Sequence, residues 1–265
     1  VYERRHVLWA LCHTDQILRH SFNPFRYWLF RYFGIESSMG DAAEKQAFDS
    51  KLNDLIAQIA DPDLAGELDR VRSVLGALVD LYWPDSFYEK LDAEGRYNNT
   101  LTALIALVKA ESLRQPMLIF IEDAQFMDDD SKAFLPRLKR ALTVGNVEYP
   151  VALLISSRHV GVDAFLTEEL IDQTVELGAL STQALFSLAE IYLGGAVSPN
   201  LIHVLEARSE GNPYFAEQIL LYLQEDKLLE MSAKGWNLIR NLQDTSLPAD
   251  IRALLVARLD QLTRN

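Results

Sequence analysis

Cysteine is almost absent from this chain: Cys12 is the one cysteine among 265 residues. A single cysteine cannot form a disulfide within the chain, so an internal disulfide framework is excluded and a reducing, cytoplasmic setting is expected. Long apolar runs are missing too, and none reaches the roughly 20 residues that a membrane-spanning helix needs. Because 49% of the residues are hydrophobic, the chain nevertheless has ample material for an apolar core.

Basic residues are also in short supply, with 25 Lys and Arg against 38 Asp and Glu, a formal net charge of −13. This balance argues against a broad attraction to nucleic-acid backbones or to anionic membranes. Histidines are few, and four of them show no metal-ligand spacing with Cys12 or with one another: His13, His20, His159 and His203. We therefore interpret them as surface or core residues.

The most informative stretch is an apolar run that ends abruptly in two acids. Residues 117–121 are all apolar, Pro116 precedes them, and Glu122 and Asp123 follow. This pattern predicts a strand buried on both faces, with the acids at its carboxyl end, where open α/β sheets bind ligands. Carboxylate oxygens suit a hard cation, so the stretch predicts a magnesium–nucleotide site. The alternative is that the two acids are only the solvated end of a buried strand.

Other short apolar runs predict further strands of the same sheet. Residues 6–12, 150–155 and 175–177 are candidates, and the second of these is followed by Ser156, Ser157 and Arg158. Because helical patterns alternate with these runs, we expect a parallel sheet that is covered on both faces. Helices are predicted over 25–33, over two segments of 40–81 divided at Asp61-Pro62-Asp63, over 100–114, and through 142 after a cap at Asp130 or Ser131.

The dense aromatic residues of 25–33 have two interpretations, a ligand pocket or an aromatic core patch. We favour the core patch, because buried aromatic side chains most often pack against one another.

The pattern changes near Gly178. Three helices are predicted, over 181–193, 198–209 and 213–225, followed by a hairpin over 228–238 with a glycine-containing turn. A last amphipathic helix is predicted over 251–262. These patterns divide the chain into an α/β core (1–178), a helical subdomain (179–226) and the start of a winged helix (227–265).

Four motifs, in this order along the chain, resemble those of one family. They are residues 118–128, the strand end 155–158, the Gly211-Asn212-Pro213 turn, and Leu247-Pro248 with the helix after it. Together they resemble the Walker B, sensor 1, lid and winged-helix motifs of STAND-type ATPase domains of the AAA+ superfamily. Such domains occur in large bacterial transcriptional regulators and beside adenylate or guanylate cyclase domains. The resemblance implies a P-loop NTPase-like α/β core, a helical lid and a winged helix, and a role in signal transduction or transcription regulation.

The resemblance also implies roles for individual residues, with Mg²⁺ and ATP as ligands. Glu122 occupies the position that holds the magnesium ion, and Asp123 the position that orients or deprotonates the attacking water. Both are thus implied metal-site and catalytic residues. Their order reverses the more familiar Asp-Glu pair, so the shorter Asp123 reaches the water less well and fast hydrolysis is not assured.

The remaining implied contacts are with the nucleotide. Ser156 or Ser157 is implied to hydrogen-bond the γ-phosphate or the water, and Arg158 to offset the phosphate charge; alternatively, Arg158 is a structural ion-pair partner. In the turn Gly211-Asn212-Pro213, the proline is implied to pack on adenine, and the glycine to permit the bend. The lid would then close on nucleotide and reopen on its loss.

One part of the family pattern is missing. No Gly-x-x-x-x-Gly-Lys-Ser/Thr loop occurs anywhere in the chain, although that loop supplies most of the phosphate contacts. Since the chain begins at Val1 without Met, we expect truncation after the loop rather than a degenerate loop. The chain by itself is then expected to bind ATP poorly and to be inactive, while the full-length protein is an ATPase-type switch.

Three functions remain open at this stage. The leading one is a module that binds ATP in its full-length protein and relays its state to an effector domain attached in the same chain. The second is an inactive scaffold for self-association or autoinhibition. The third, a nucleic-acid-binding winged helix, is least favoured, because the helix over 251–262 carries only Arg252 and Arg258.

Overall fold

The structure is a computed structural model that describes residues 7–17, 20–36, 38–158, 166–167, 169–232 and 235–239. The chain divides into two compact units, residues 1–173 and residues 174–265. No helix in the described ranges is long and apolar enough to cross a membrane.

The described part of the first unit contains a three-stranded parallel sheet. Its strands are β1 (Leu8–His13), β2 (Met117–Glu122) and β3 (Val151–Ile155), in the order β1-β2-β3. Both pairs of neighbours run parallel. The predicted α/β architecture and these three strands are therefore confirmed, and the acid-bearing strand β2 is the central one.

Helices fill the segments between the strands. They are α1 (Asn23–Phe33), α2 (Asp41–Gln58), α3 (Pro62–Arg70), α4 (Arg72–Leu78), α5 (Ala93–Arg114) and α6 (Asp129–Thr143), with a 3₁₀ turn at Ala124–Phe126. The predicted break at Asp61 is confirmed, because its carboxylate accepts the first free N–H groups of α3. Helix α5 begins earlier than the predicted residue 100, because Asp92 accepts a hydrogen bond from the Gly95 N–H at 2.7 Å.

The two faces of the sheet differ in burial. On one face, the strand side chains join α1, α5 and α6 in a single core cluster; they include Ala10, Cys12, Met117, Ile119 and Ile121. On the other face, Trp9 is 62% exposed and Leu154 is 49% exposed. The prediction of a sheet covered on both faces is therefore wrong for the described residues. The predicted burial of β2 is complete on one face only, because Leu118 and Phe120 on the other face are partly buried. Successive side chains of a strand point to opposite faces of the sheet. The described helices form a core with the side chains of one face only.

Helix α1 carries the aromatic run of the first unit. Phe25, Trp28 and Phe33 are all at most 4% exposed. The Phe25 ring meets Phe134 of α6 edge-on at 4.9 Å, and the Phe33 ring lies 4.3 Å from that of Phe48 in α2. The core-patch interpretation is confirmed, and edge-to-face packing of this kind stabilises a core beyond simple burial.

The second unit contains helices and a hairpin. The elements are α7 (Thr182–Leu193), α8 (Pro199–Ser209), α9 (Pro213–Glu225), β4 (Leu229–Ser232) and β5 (Gly235–Leu238). The three predicted helices and the antiparallel hairpin are confirmed. The hairpin packs on the helices, since the indole N–H of Trp236 donates to the Leu193 carbonyl at 3.0 Å.

Two other expectations for this part of the chain have different outcomes. The predicted strand at 175–177 is wrong: these residues have no strand partner, and Val175 and Leu177 are 79% and 94% exposed. Three alternating residues are too few to specify a strand without a neighbour to pair with. The predicted helix over 251–262, with Leu247-Pro248 before it, lies outside the described residues.

Candidate functional site

The candidate site lies at the carboxyl edge of the three-stranded sheet. The strand register places His13 of β1 beside Glu122 of β2, and Ile121 beside Ile155 of β3. Parallel strands all end at the same edge, so the polar residues that follow each strand meet there. Five predicted site residues are brought together in this way: Glu122, Asp123, Ser156, Ser157 and Arg158.

Glu122 is half-exposed and paired on one side with a histidine. Its Oε2 lies 2.8 Å from Nδ1 of His13, and the two side chains are 44% and 39% exposed. The His13 ring is itself held edge-on against Tyr27, with ring centroids 4.7 Å apart. Within the described residues, Oε1 of Glu122 has no hydrogen-bond partner, so this oxygen can accept a hydrogen bond or bind a cation from solvent.

The sequence predicts that His13 is a surface or core residue, whereas in the structure it is the partner of Glu122. The contact could have been predicted from the position of His13 at the end of a strand, but not from its residue type. His13 ends β1 just as Glu122 ends β2, and parallel register then makes them neighbours.

Asp123 begins the turn after β2 in a left-handed backbone conformation, with φ of 53°. Aspartate tolerates this region better than most residues. Three contacts hold the backbone there. The Asp123 N–H donates to Ser156 Oγ at 3.3 Å, the Ala124 N–H donates to the Ser156 carbonyl at 2.9 Å, and the Thr14 hydroxyl reaches the Asp123 carbonyl at 2.8 Å.

Besides the Ser156 contacts, the Gln125 side chain joins the β3 end to this turn. Oε1 of Gln125 accepts from the Ser157 hydroxyl at 3.2 Å and from the Arg158 N–H at 3.1 Å. The Arg158 guanidinium has no acid within 4 Å in the described part of the chain. The alternative of a structural ion pair for Arg158 therefore finds no partner among these residues, and its charge faces solvent.

Asp128, the downstream acid of the same motif, is buried and has a structural function. Its Oδ1 accepts from the N–H groups of Phe22 and Ser131 at 3.0 and 2.9 Å. Its Oδ2 accepts from the Asn23 N–H at 3.1 Å and the Ser131 hydroxyl at 2.7 Å. Asp128 thus caps α6 and binds the start of α1, so the predicted cap at Asp130 or Ser131 is wrong. With three consecutive aspartates, local sequence does not specify which one caps.

The donor set at the sheet edge is compatible with a hard cation held partly by other ligands. No group of three or more His, Cys, Asp or Glu side chains in the described residues is arranged to hold a metal ion. Glu122 and Asp123 supply two carboxylates, and Mg²⁺ commonly takes one or two carboxylates while water and phosphate oxygens complete its octahedron. The residues present therefore fit a magnesium–phosphate ligand and do not form a closed protein metal site.

Cys12 lies one residue before His13 and is not a candidate nucleophile. Its side chain is fully buried, and burial raises the pKa of the thiol above its ordinary value. A buried, protonated thiol is unreactive, because the thiolate is the nucleophilic form.

The predicted lid turn lies in the second unit, where each of its residues has a local structural explanation. Gly211 has φ of 76°, and a Cβ there would come within 2.9 Å of the Leu180 carbonyl oxygen. Asn212 caps α9, since its Oδ1 accepts from the Phe215 N–H at 3.1 Å, and Pro213 occupies the first turn. The turn is built as a tight connection between two helices.

A separate cavity of about 280 Å³ lies beside α1, α4 and α5, away from the predicted site residues. It is lined by Ser21, Phe22, Arg26, Val74, Ala77, Leu78, Tyr82, Tyr88, Arg96, Tyr97 and Thr100.

Comparisons with protein-family models, curated proteins and solved structures found no match to this chain.

Proposed function

We propose that this chain is the larger part of a STAND-like, AAA+-type nucleotide switch, a P-loop NTPase-like core followed by a helical lid and the start of a winged helix. In the full-length protein it binds Mg–ATP and signals to an effector domain in the same chain. The observation that carries the proposal is the convergence of Glu122, Asp123 and the Ser156–Arg158 segment at one edge of a parallel sheet. That edge supplies carboxylates for a magnesium ion and, in Arg158, an exposed cation for phosphate charge that has no acid partner within the described ranges.

The proposed residue roles are those that the family resemblance implies. Glu122, with one oxygen toward solvent, holds the magnesium ion through its water shell. Asp123 orients the attacking water, and Ser157 with Arg158 contacts the terminal phosphate. The phosphate-binding loop is supplied from outside residues 1–265, because no such motif occurs within them.

The test is calorimetric titration with Mg–ATP. The full-length protein is expected to bind at micromolar concentration, and Glu122→Gln to weaken that binding at least about tenfold, a loss of about 1.4 kcal/mol. Asp129→Asn is the matched control, because Asp129 is a fully exposed carboxylate on the neighbouring helix. Residues 1–265 alone are expected to bind poorly. Micromolar binding by this chain, or unchanged binding by Glu122→Gln, would contradict the proposal.

A second candidate function, an inactive scaffold that self-associates, is favoured by one observation. The uncovered face of the sheet presents Trp9 and Leu154, both about half exposed or more. Parallel sheets are ordinarily buried on both faces, so an apolar partner on this face would lower the free energy of the protein. Analytical ultracentrifugation of wild type and Trp9→Arg distinguishes the candidates, with Tyr82→Arg as the exposed-aromatic control. A monomer at all concentrations argues against the scaffold.

A further inference from the structure

Gln125 lies between the two polar strand ends of the site. The chain leaves β2, passes through Asp123, and enters the 3₁₀ turn Ala124–Phe126, which directs the Gln125 side chain toward β3. Its Nε2 donates to Oδ1 of Asp123 at 3.0 Å. Its Oε1 accepts from the Ser157 hydroxyl at 3.2 Å and from the Arg158 N–H at 3.1 Å.

The partners specify which way the amide faces. A backbone N–H can only donate and an ionised carboxylate can only accept, so the amide oxygen faces Arg158 and the nitrogen faces Asp123. A glutamate at this position retains the acceptor but sets a second carboxylate against Asp123. A methionine retains the approximate length and loses both hydrogen-bonding functions. Glutamine is therefore suited to this position, because its planar side-chain amide carries both a donor and an acceptor.

We propose that Gln125 is a positioning residue that couples the Asp123 carboxylate to the Ser157–Arg158 end of β3. This inference rests on the proposed function, in which Asp123 orients the attacking water and the β3 end contacts the terminal phosphate. A phosphate that shifts the β3 end then also reorients Asp123 through the amide. The Gln125 amide, which contacts the Asp123 carboxylate itself, then links phosphate contact at β3 to orientation of the water at Asp123.

The Asp123 backbone is held independently of Gln125. Its left-handed conformation is maintained by the Ser156 hydroxyl and carbonyl, through hydrogen bonds to the N–H groups of Asp123 and Ala124. Replacing Gln125 therefore removes the hydrogen bond that orients the Asp123 carboxylate and leaves the backbone contacts of the turn in place. This separation makes the coupling measurable without unfolding the site.

Two variants, Gln125→Glu and Gln125→Met, test the coupling on residues 1–265 by NMR. Amide exchange at Arg158 is expected to stay within about threefold of wild type in Gln125→Glu, which retains the acceptor, and to rise at least about tenfold in Gln125→Met. The carboxyl ¹³C resonance of Asp123 is expected to shift in both, because both lose the donor. The matched controls Gln46→Glu and Gln46→Met, at an exposed position of α2, are expected to change neither signal.

Steady-state kinetics of the full-length protein give the functional readout. Both Gln125 variants are expected to lower kcat at least about tenfold with KM within about threefold, the pattern of an interaction used only in the transition state. Wild-type kcat in Gln125→Glu, or unchanged Arg158 exchange in Gln125→Met, overturns the coupling. A wild-type protein that fails to bind Mg–ATP refutes the proposed function, while the NMR pattern still decides whether the two strand ends are coupled.

Discussion

Two kinds of carboxylate occur in the first unit, and their surroundings separate them. Asp128 and Glu111 are buried, at 8% and 0% exposure, and each has hydrogen-bond donors on both oxygens. Glu122 and Asp123 stand at the sheet edge, where Glu122 is 44% exposed and Asp123 is held by one side-chain donor. The buried acids are fully occupied by the fold itself. The edge acids have remaining lone pairs for an external ligand.

This difference shows that the buried structural acids of a motif have to be distinguished from its exposed acids before a function is assigned. Residues 122–130 contain five acids in nine positions, and a reading by composition treats them as one cluster. Burial and four accepted hydrogen bonds show that Asp128 has a structural function, whereas Glu122 and Asp123 have oxygens available to a ligand. Substitutions at these residues test that division.

Asp128→Ala is expected to have the largest effect, because it removes all four hydrogen bonds that the carboxylate accepts. The Phe22 N–H loses its partner at the start of α1, and α6 loses its cap. The Asn23 N–H retains only its hydrogen bond to the His20 carbonyl at 3.0 Å. We expect a loss of about 3 kcal/mol in the free energy of unfolding, measured by urea denaturation. Asp129→Ala is the control and is expected to lower the midpoint only slightly, because this side chain is fully exposed and its ion pair with Lys132 is long, at 3.8 Å. Equal midpoints for the two variants would contradict the structural function of Asp128.

Tyr32→Phe tests the second buried acid. The Tyr32 hydroxyl donates to Oε1 of Glu111, whose Oε2 accepts from Arg114 at 2.7 Å. Without the hydroxyl, a buried carboxylate oxygen has no donor, and we expect a loss of about 2 kcal/mol at neutral pH. Tyr27→Phe, at an exposed tyrosine of the same helix, is the matched control.

The same pair predicts a dependence of stability on alkaline pH. Burial, followed by the charge and the hydrogen bond of Glu111, raises the pKa of Tyr32 above its ordinary value of about 10. The folded state then holds the phenol proton more tightly than the unfolded chain. This contribution to stability is complete below pH 10 and falls as the pH rises above it. Urea titrations at pH 8 and pH 11 are expected to show a smaller alkaline loss in Tyr32→Phe than in wild type, and equal losses would contradict the assignment.

Asp123 variants are expected to show a smaller effect, set by the backbone. Asp123→Ala places alanine in a left-handed conformation and is expected to cost about 1 kcal/mol. Asp123→Asn tolerates that conformation and is expected to stay within about 0.5 kcal/mol of wild type. Thermal unfolding followed by circular dichroism measures both. A large loss in Asp123→Asn would place Asp123 with the structural acids.

Arg158→Ala is expected to have the smallest effect on stability, within about 0.5 kcal/mol of wild type, because the guanidinium has no acid partner in the described ranges. Urea denaturation checks this. Arg72→Ala is the contrasting variant, since Arg72 bridges Asp49 and Asp69 at 2.9 and 2.7 Å and is expected to be more destabilising. A loss in Arg158→Ala as large as that in Arg72→Ala would indicate a structural ion pair instead.

Local sequence was sufficient where the physical cause is local. The strands at residues 8–13, 117–122 and 151–155 follow from short apolar runs, and the helix starts at Pro62, Pro199 and Pro213 follow from a capping residue before a proline. Burial on both faces was not predictable in this way. An apolar run looks the same whether one face or both are covered, and the exposure of Trp9 is decided by which elements pack there.

By itself, the sequence determined the parallel α/β core, the helices of the second unit, and the placing of Glu122 and Asp123 at the end of a strand. Only the tertiary structure decided that this strand is central and which acids are occupied, because two of the four donors to Asp128 come from Phe22 and Asn23, over a hundred residues earlier in the chain. It also decided the partners of the edge acids. His13 and Gln125 became part of the site through parallel register and through a hydrogen bond across two strand ends. Such contacts depend on distances in space, which residue spacing along a chain does not encode.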